Sequence, residues 1–332
     1  MKIAIVKLSA LGDIVHAMVA LQFIRQAYPD AVIDWVVEQG FAPLLADNPD
    51  IRKVLPVNLK ALKTDKSRLF SEIARIRAYA QEHYDDVIDA QGLIKSALVA
   101  RSLSRNCTGF DRHSIRESLA ACFYHQQVAC SYDANTIDRN VRVLTQPLGL
   151  QISSEQIFAK KPFLYYQTPE QSLDEWFRLD QPNVLYVIGS TWPSRNYPKQ
   201  QFADVIKGLD ANHLLVWGSA QEHQDAEWIA AHSKARVMPK LSLNDLKAAI
   251  ARSDLLIGND TGPTHMAWGL NRPSITLFGP TPVSRVYQTP INLVLKSPSI
   301  VNPFKLDKND FSIGQISADS IIHLARSLLM TR

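Results

Sequence analysis

The eight residues GNDTGPTH at 258–265 are suited to hold an anion at the start of a helix. Gly262 lets a ligand approach the backbone closely, Pro263 fits a first helical turn, and the helix runs on from Thr264. Unpaired amides and the positive end of the helix dipole favour phosphate there, and the hydroxyls of Thr261 and Thr264 add donors. The same residues also satisfy a plain helix cap built on Asp260 or Thr261, and His265 alone suits a packed helix face.

Other loops offer complementary chemistry. In GSTWPSRNYP, 189–198, Ser190 and Thr191 precede Arg195, whose guanidinium can grip a diphosphate with two parallel hydrogen bonds; taken alone, the segment also reads as a surface loop. Glu222 follows an apolar run and can accept from ribose hydroxyls or simply open a helix. In SALGDIVH, 9–16, Asp13 begins a helix, where a carboxylate stays ionised and is a weak base. Such a base suits a hydroxyl that becomes acidic only as its new bond forms, and a plain cap is the alternative. The turn DAQGLIKS, 89–96, supplies Gln91, Gly92 and Lys95, the last able to meet an acidic ligand.

These loops need elements to hold them. KIAIVKL reads as a buried strand, and after it Ile14, Met18, Leu21 and Ile24 recur at helical spacing. Strand-like AVIDWVV (31–37) and KVLPV (53–57) follow, then a helix carrying Leu69, Ile73, Ile76 and Ala80, then DDVIDAQG (85–92) and another helix. A second series starts with VLYVIG (184–189) and a helix from Pro198. It continues with HLLVWG (213–218), a helix over 222–231, and SLND (242–245), where Ser242 and Asp245 have capping-box spacing. DLLIGN (254–259) and SITLFG (274–279) complete it, and a final helix at 317–329 can pack on either half. Strand and helix alternating in this way predict an α/β chain of two doubly wound domains, 1–165 and 180–332, facing each other across a cleft. The junction is expected between 162 and 182.

Composition sets bounds. At 46% hydrophobic and 20% charged residues, the chain is globular in character. Its opening apolar run is broken by Lys7 and is too short for a signal-peptide core or a spanning helix, so a cytoplasmic location is expected. Cys107, Cys122 and Cys130 fit neither an even disulfide framework nor a metal or redox pair, and are read as reduced thiols. A net charge of +4 over this length does not indicate nucleic-acid binding. Basic residues do cluster in the first half, with Lys60, Lys63, Lys66, Arg68, Arg75 and Arg77 in one group and Arg101, Arg105, Arg112 and Arg116 in another, which suggests an anionic partner there. The sequence holds no DxD, no HExxH and no zinc-type His/Cys spacing, so no metal is expected to anchor a diphosphate. GxGxxG after the opening strands and GxSxG are also absent, which argues against a dinucleotide-dependent dehydrogenase and a serine hydrolase.

Taken in order, VKLSALGDIVH, DAQGLIKSAL, RESLAACFYH, GNDTGPTH and LFGPT resemble the lipopolysaccharide heptosyltransferases of glycosyltransferase family nine, over nearly the whole chain. DWVVEQGFA and DAQGLIKSAL are similar to the heptosyltransferase I branch. The resemblance implies a GT-B fold, ADP-heptose as donor, the first Kdo of Kdo2-lipid A as acceptor, and inversion at the anomeric carbon. It implies no cofactor. Asp13 matches the catalytic base; Ser190, Thr191, Arg195, Thr261 and Gly262 match the diphosphate ligands. Glu222 matches the ribose contact and His265 a residue near the heptose, with Asp260 and Thr264 in the same donor turn. Two positions depart from the branch: Arg195 stands where lysine is usual, and Leu241 replaces a methionine of the adenine pocket. Arginine keeps the charge but presents it as a planar fork, and leucine keeps the packing volume. The acceptor's carboxylates and phosphates give the basic residues a purpose, with Lys60, Lys63, Lys66, Gln91, Gly92, Lys95 and Arg116 as candidate contacts. Such an enzyme is expected to sit peripherally on the cytoplasmic face of the inner membrane. A nucleotide-sugar epimerase on the same scaffold and an idle sugar-nucleotide binder are the rival readings.

Overall fold

The computed structural model describes residues 1–330, and the chain divides into two compact units, Met1–Tyr165 and Tyr166–Arg332. Each unit is built on one six-stranded sheet. The first contains β1 (Lys2–Val6), β2 (Val32–Glu38), β3 (Lys53–Val57), β4 (Asp86–Asp89), β5 (Cys107–Phe110) and β6 (Gln126–Val128). The second contains β7 (Asn183–Val187), β8 (Asn212–Val216), β9 (Arg236–Val237), β10 (Leu255–Asn259), β11 (Ser274–Phe278) and β12 (Asn292–Lys296). Every neighbouring pair is parallel. Parallel strands with helices on both faces must be apolar throughout, and β1, β7, β10 and β11 are accordingly buried along nearly their whole length.

The helices are α1 (Leu11–Met18), α2 (Ala20–Ala27), α3 (Ala42–Leu45), α4 (Leu69–Ala80), α5 (Ile94–Leu103), α6 (Thr136–Thr145) and α7 (Ser154–Phe158) in the first unit. The second has α8 (Lys199–Lys207), α9 (Ala220–Ala231), α10 (Leu243–Arg252), α11 (Gly262–Gly269) and α12 (Ala318–Met330).

Strand order is β3-β2-β1-β4-β5-β6 in the first sheet and β12-β11-β10-β7-β8-β9 in the second. Counted from its own first strand, each sheet has the doubly wound order, and the order reverses between β1 and β4 and between β7 and β10. Ligands of such sheets collect outside the carboxyl ends of the strands at that reversal. SALGDIVH and DAQGLIKS follow β1 and β4; GSTWPSRNYP and the GNDTGPTH turn follow β7 and β10.

The final helix packs on the core of the second unit: Ile321, Ala325 and Leu328 join it, and Arg326 Nη2 donates to Gly208 O at 2.8 Å. Residues 166–182 also belong there, since Gln167 N and Glu170 N donate to the side chains of Asn244 and Asp245. Ser242 does cap α10, accepting from Asp245 N at 3.1 Å, but the Asp245 carboxylate turns to Glu170 N instead of closing a box. On α4, Ile76 is buried whereas Leu69 and Ile73 are exposed.

Candidate functional site

In the second unit the β7 loop runs from Gly189 to Pro198 and is pinned at both ends by Asn259, which closes β10. Asn259 Oδ1 accepts from Tyr197 N at 3.0 Å, and its Nδ2 donates to Ile188 O at 2.7 Å. Both ends of the loop, the start of α8 and the first turns of α9 line a pocket of about 320 Å³, with Ser190, Thr191, Lys199, Ser219, Glu222 and Asp225 among its walls. Ser190 Oγ, Ser194 Oγ and Asn196 Oδ1 are buried without a hydrogen-bond partner among the described residues. A buried polar atom left in that state costs about 1–3 kcal/mol, so three in one short loop make that loop a candidate ligand site.

Glu222 does cap its helix and lines the pocket as well. Ser219 Oγ accepts from Glu222 N at 3.2 Å, and Glu222 Oε2 accepts from Gly218 N at 2.6 Å and Ser219 N at 3.1 Å, a reciprocal capping box. The carboxylate also lies directly over Gly189, where a Cβ would come within 2.1 Å of Oε1. Only glycine permits that approach.

The turn after β10 is organised by Asp260, and not as a helix cap. Thr261 is the N-cap of α11 and makes no side-chain cap bond, while Pro263 occupies the first turn. The Asp260 carboxylate, 1% exposed, takes an ion pair from Arg195 Nη2 at 2.9 Å and accepts from Thr281 Oγ1 at 2.7 Å. Its other oxygen meets His265 Nε2 at 3.0 Å. Burial alone would raise its pKa, but the His265 hydrogen bond and the charges of Arg195, Arg285 and His265 hold it far below the usual carboxylate range. Thr264 spends its hydroxyl on Asn259 O at 2.7 Å, so what it offers an anion is its backbone amide. The Trp192 ring has the Arg195 guanidinium 5.5 Å and the Lys308 ammonium 4.9 Å from its centroid. Leu241 is half-buried, two residues ahead of α10.

In the first unit Asp13 is the third residue of α1, not its cap, and its Oδ2 accepts from Ala10 N at 3.1 Å. Gln91 Oε1 accepts from Leu8 N and Ser9 N, tying the β4 turn to the β1 loop. Asp89 shapes that turn by accepting from Gln91 N and Gly92 N, and Gly92 has φ +70°, the left-handed conformation that favours glycine. Lys7 is buried, donating to Ala90 O at 2.7 Å and Asn140 Oδ1 at 3.0 Å. Burial pulls its pKa down, opposed by the negative charges of Asp13 and Asp89. Glu38, at the end of β2, is pushed up by burial, against which act the Lys60 amide and the charges of Lys95 and Lys60. Asp13, Gln91, Gly92, Lys95 and Lys60 thus gather at the carboxyl edge of one sheet. Lys63 and Lys66 lie exposed on the approach to α4, and Arg116 is exposed beside Glu117, whose carboxylate accepts from Ile94 N at the start of α5.

A family model described as glycosyltransferase family 9 (heptosyltransferase) matches residues 73–296. Lipopolysaccharide heptosyltransferase 1 of Campylobacter coli is 36% identical over 343 residues, covering 99% of this chain and 99% of its own length. The chain belongs to glycosyltransferase family 9.

The glycosyltransferase has the GT-B fold: Escherichia coli heptosyltransferase WaaC with ADP superimposes with a TM-score of 0.81 at 25% identity, over 99% of this chain and 100% of that one. Lipopolysaccharide heptosyltransferase 2 of Escherichia coli (strain K12) is more distant, 24% identical over 85% of this chain and 83% of its own. Sequence reasoning about this glycosyltransferase passed over four residues of the candidate site. Lys7 breaks an otherwise apolar strand, which is a usable signal. Gly189 opens a loop after a strand, another such signal. Arg285 and Lys308 lie in irregular segments, and nothing local marks them as neighbours of Asp260 and Trp192. Among the described residues no group of three or more His, Cys, Asp or Glu side chains is arranged to hold a metal ion.

Proposed function

We propose that this glycosyltransferase moves L-glycero-D-manno-heptose from ADP-heptose to the first Kdo of Kdo2-lipid A, with inversion, in synthesis of the lipopolysaccharide inner core. The observation that carries the reading is the second unit's loop of unpartnered buried polar atoms beside the Arg195–Asp260 pair. It is an anion site on a chain whose full-length relative bears the heptosyltransferase 1 name. Ser190, Thr191, Arg195 and the amides of Thr261, Gly262 and Thr264 bind the diphosphate; Glu222 meets the ribose, Leu241 the adenine and His265 the heptose. Asp260 touches no substrate in this scheme: it holds Arg195 and His265 in place. In the first unit, Gln91, Gly92, Lys95, Lys60, Lys63, Lys66 and Arg116 receive the anionic acceptor.

The acceptor oxygen attacks the anomeric carbon on the face opposite ADP. One carbon–oxygen bond forms as the other breaks, Asp13 takes the hydroxyl proton, and the charge that departs on the β-phosphate is met by Arg195 and backbone amides. One such displacement inverts the centre. The chain is free to work at the cytoplasmic face of the inner membrane, where its acceptor is anchored.

Mass spectrometry of ADP-heptose incubated with Kdo2-lipid A should show one added heptose, and no product with the singly heptosylated core in its place. Preference for the heptosylated core would make the enzyme a heptosyltransferase II, and an epimer of the donor formed without acceptor would make it an isomerase. Gly189→Ala gives a second test. The new methyl displaces the end of a flexible side chain, Glu222, so folding is expected to survive while ADP affinity falls about tenfold, the worth of one charged hydrogen bond. An unchanged Kd by calorimetry would remove Glu222 from the nucleotide site.

A further inference from the structure

The first turns of α4 expose Leu69 (45%), Phe70 (81%) and Ile73 (37%). At about 100° per residue these side chains fall within one arc of the helix, so they form a single patch. A helix packed on a sheet hides its apolar arc, but α4 turns only Glu72 and Ile76 inward. Lys63 and Lys66 are exposed just before the patch, and Arg77, four residues beyond Ile73, continues the same face. None of these three forms a salt bridge among the described residues, whereas nearby Arg68 and Arg75 are neutralised by Asp65 and Glu72. Uncompensated positive charge therefore rims an apolar patch.

Its place in the fold matters equally. In a parallel sheet all strands end on one edge, and β3 ends at Val57 on the edge that also carries Asp13 and Lys95. Residues 58–68 stay there, held by Lys60 N to Glu38 Oε2 and Asn58 N to Glu72 Oε2, and α4 starts from that edge. No helix among the described residues is long and apolar enough to cross a membrane.

We infer that Leu69, Phe70 and Ile73 insert into the surface of an anionic phospholipid bilayer, with Lys63, Lys66 and Arg77 at its headgroups. Apolar side chains entering the acyl boundary beside cations that meet acidic lipid are the two signals stable peripheral binding needs. The patch lies on the sheet edge that carries Asp13, so docking there brings the acceptor-side loops to the lipid surface. The inference rests on the reading that the acceptor is a lipid-linked sugar.

Sedimentation of the full chain with sucrose-loaded vesicles tests it, comparing phosphatidylglycerol/phosphatidylethanolamine with pure phosphatidylcholine. Binding is expected on the anionic vesicles only, weakened but not abolished by salt. Leu69→Ser with Phe70→Ser should lose at least tenfold in partitioning, and Arg77→Gln about fivefold. Both variants should transfer heptose normally to a lipid-free Kdo acceptor. Phe70→Trp should be quenched by brominated lipid. Undiminished vesicle binding by the Ser variant, no binding by the unaltered protein, or a patch that proves to hold two copies together in the ultracentrifuge would each overturn the inference. Failure of the unaltered protein to transfer heptose to either acceptor would count instead against the proposed function, whatever the vesicles show.

Discussion

Replacing Asp13 by asparagine or alanine is expected to lower kcat by about two to four orders of magnitude, the usual worth of a positioned general base, while leaving ADP affinity within twofold. The separation follows from construction. The proposed nucleotide contacts all lie in the second unit, on the loops after β7, β8, β9 and β10, whereas Asp13 is on α1 of the first. Asp13 is set by its own surroundings: Ala10 N donates to Oδ2, and the buried Lys7 ammonium senses its charge. Asparagine keeps the shape and an acceptor oxygen for Ala10 N but cannot take a proton, so it separates base catalysis from loop structure. Turnover measured at saturating donor and acceptor, beside calorimetry with ADP, decides the matter. A kcat within tenfold of the unaltered enzyme would remove Asp13 from the chemistry, and a large loss of ADP affinity would show that it acts through the fold.

Alternation of apolar strands with helical periodicity made most of both sheets legible, because a buried parallel strand must be apolar on both faces and has little other option. Of the edge strands β3 was legible and β6, β9 and β12 were not, and the inner strand β5 was missed as well. β9 spans two residues and β6 three, too short for any period to register. The loops singled out for chemistry do sit at the two strand-order reversals, since Gly, Ser, Thr and Asp between a strand and a helix carry their own signal. What that signal could not give is how the side chains are spent. Thr264 looks like a ligand hydroxyl but closes its own turn onto Asn259 O, and Gln91 spends its carbonyl oxygen on the amides of Leu8 and Ser9. Asp260 looks like a cap but serves Arg195, His265 and Thr281, two of which are remote in sequence. On α4 the periodicity located the helix, but a helix-spaced apolar series shows amphipathicity, not which partner covers it.

The second large effect is expected at Asp260. Removing one member of a buried charge network while leaving its partners behind costs about 3–5 kcal/mol. Arg195 and His265 are 11% and 6% exposed and would be left with their positive charge or donor poorly compensated. Asp260→Ala should therefore lower the melting temperature by roughly 10 °C. Because Arg195 would lose its anchor, the donor KM should rise about tenfold, as for one charged hydrogen bond misplaced. Asp260→Asn should fall between, since the amide can still accept from Thr281 but carries no charge. The sign of the pH dependence follows from the depressed native pKa. A carboxylate held low stabilises the fold fully above its unfolded value, about 3.9, and that contribution is lost as pH falls toward the native value. The gap in melting temperature between the unaltered protein and Asp260→Asn should accordingly be widest near neutrality and narrow below about pH 4. A gap independent of pH would mean that the carboxylate's shape, and not its charge, holds Arg195 in the site.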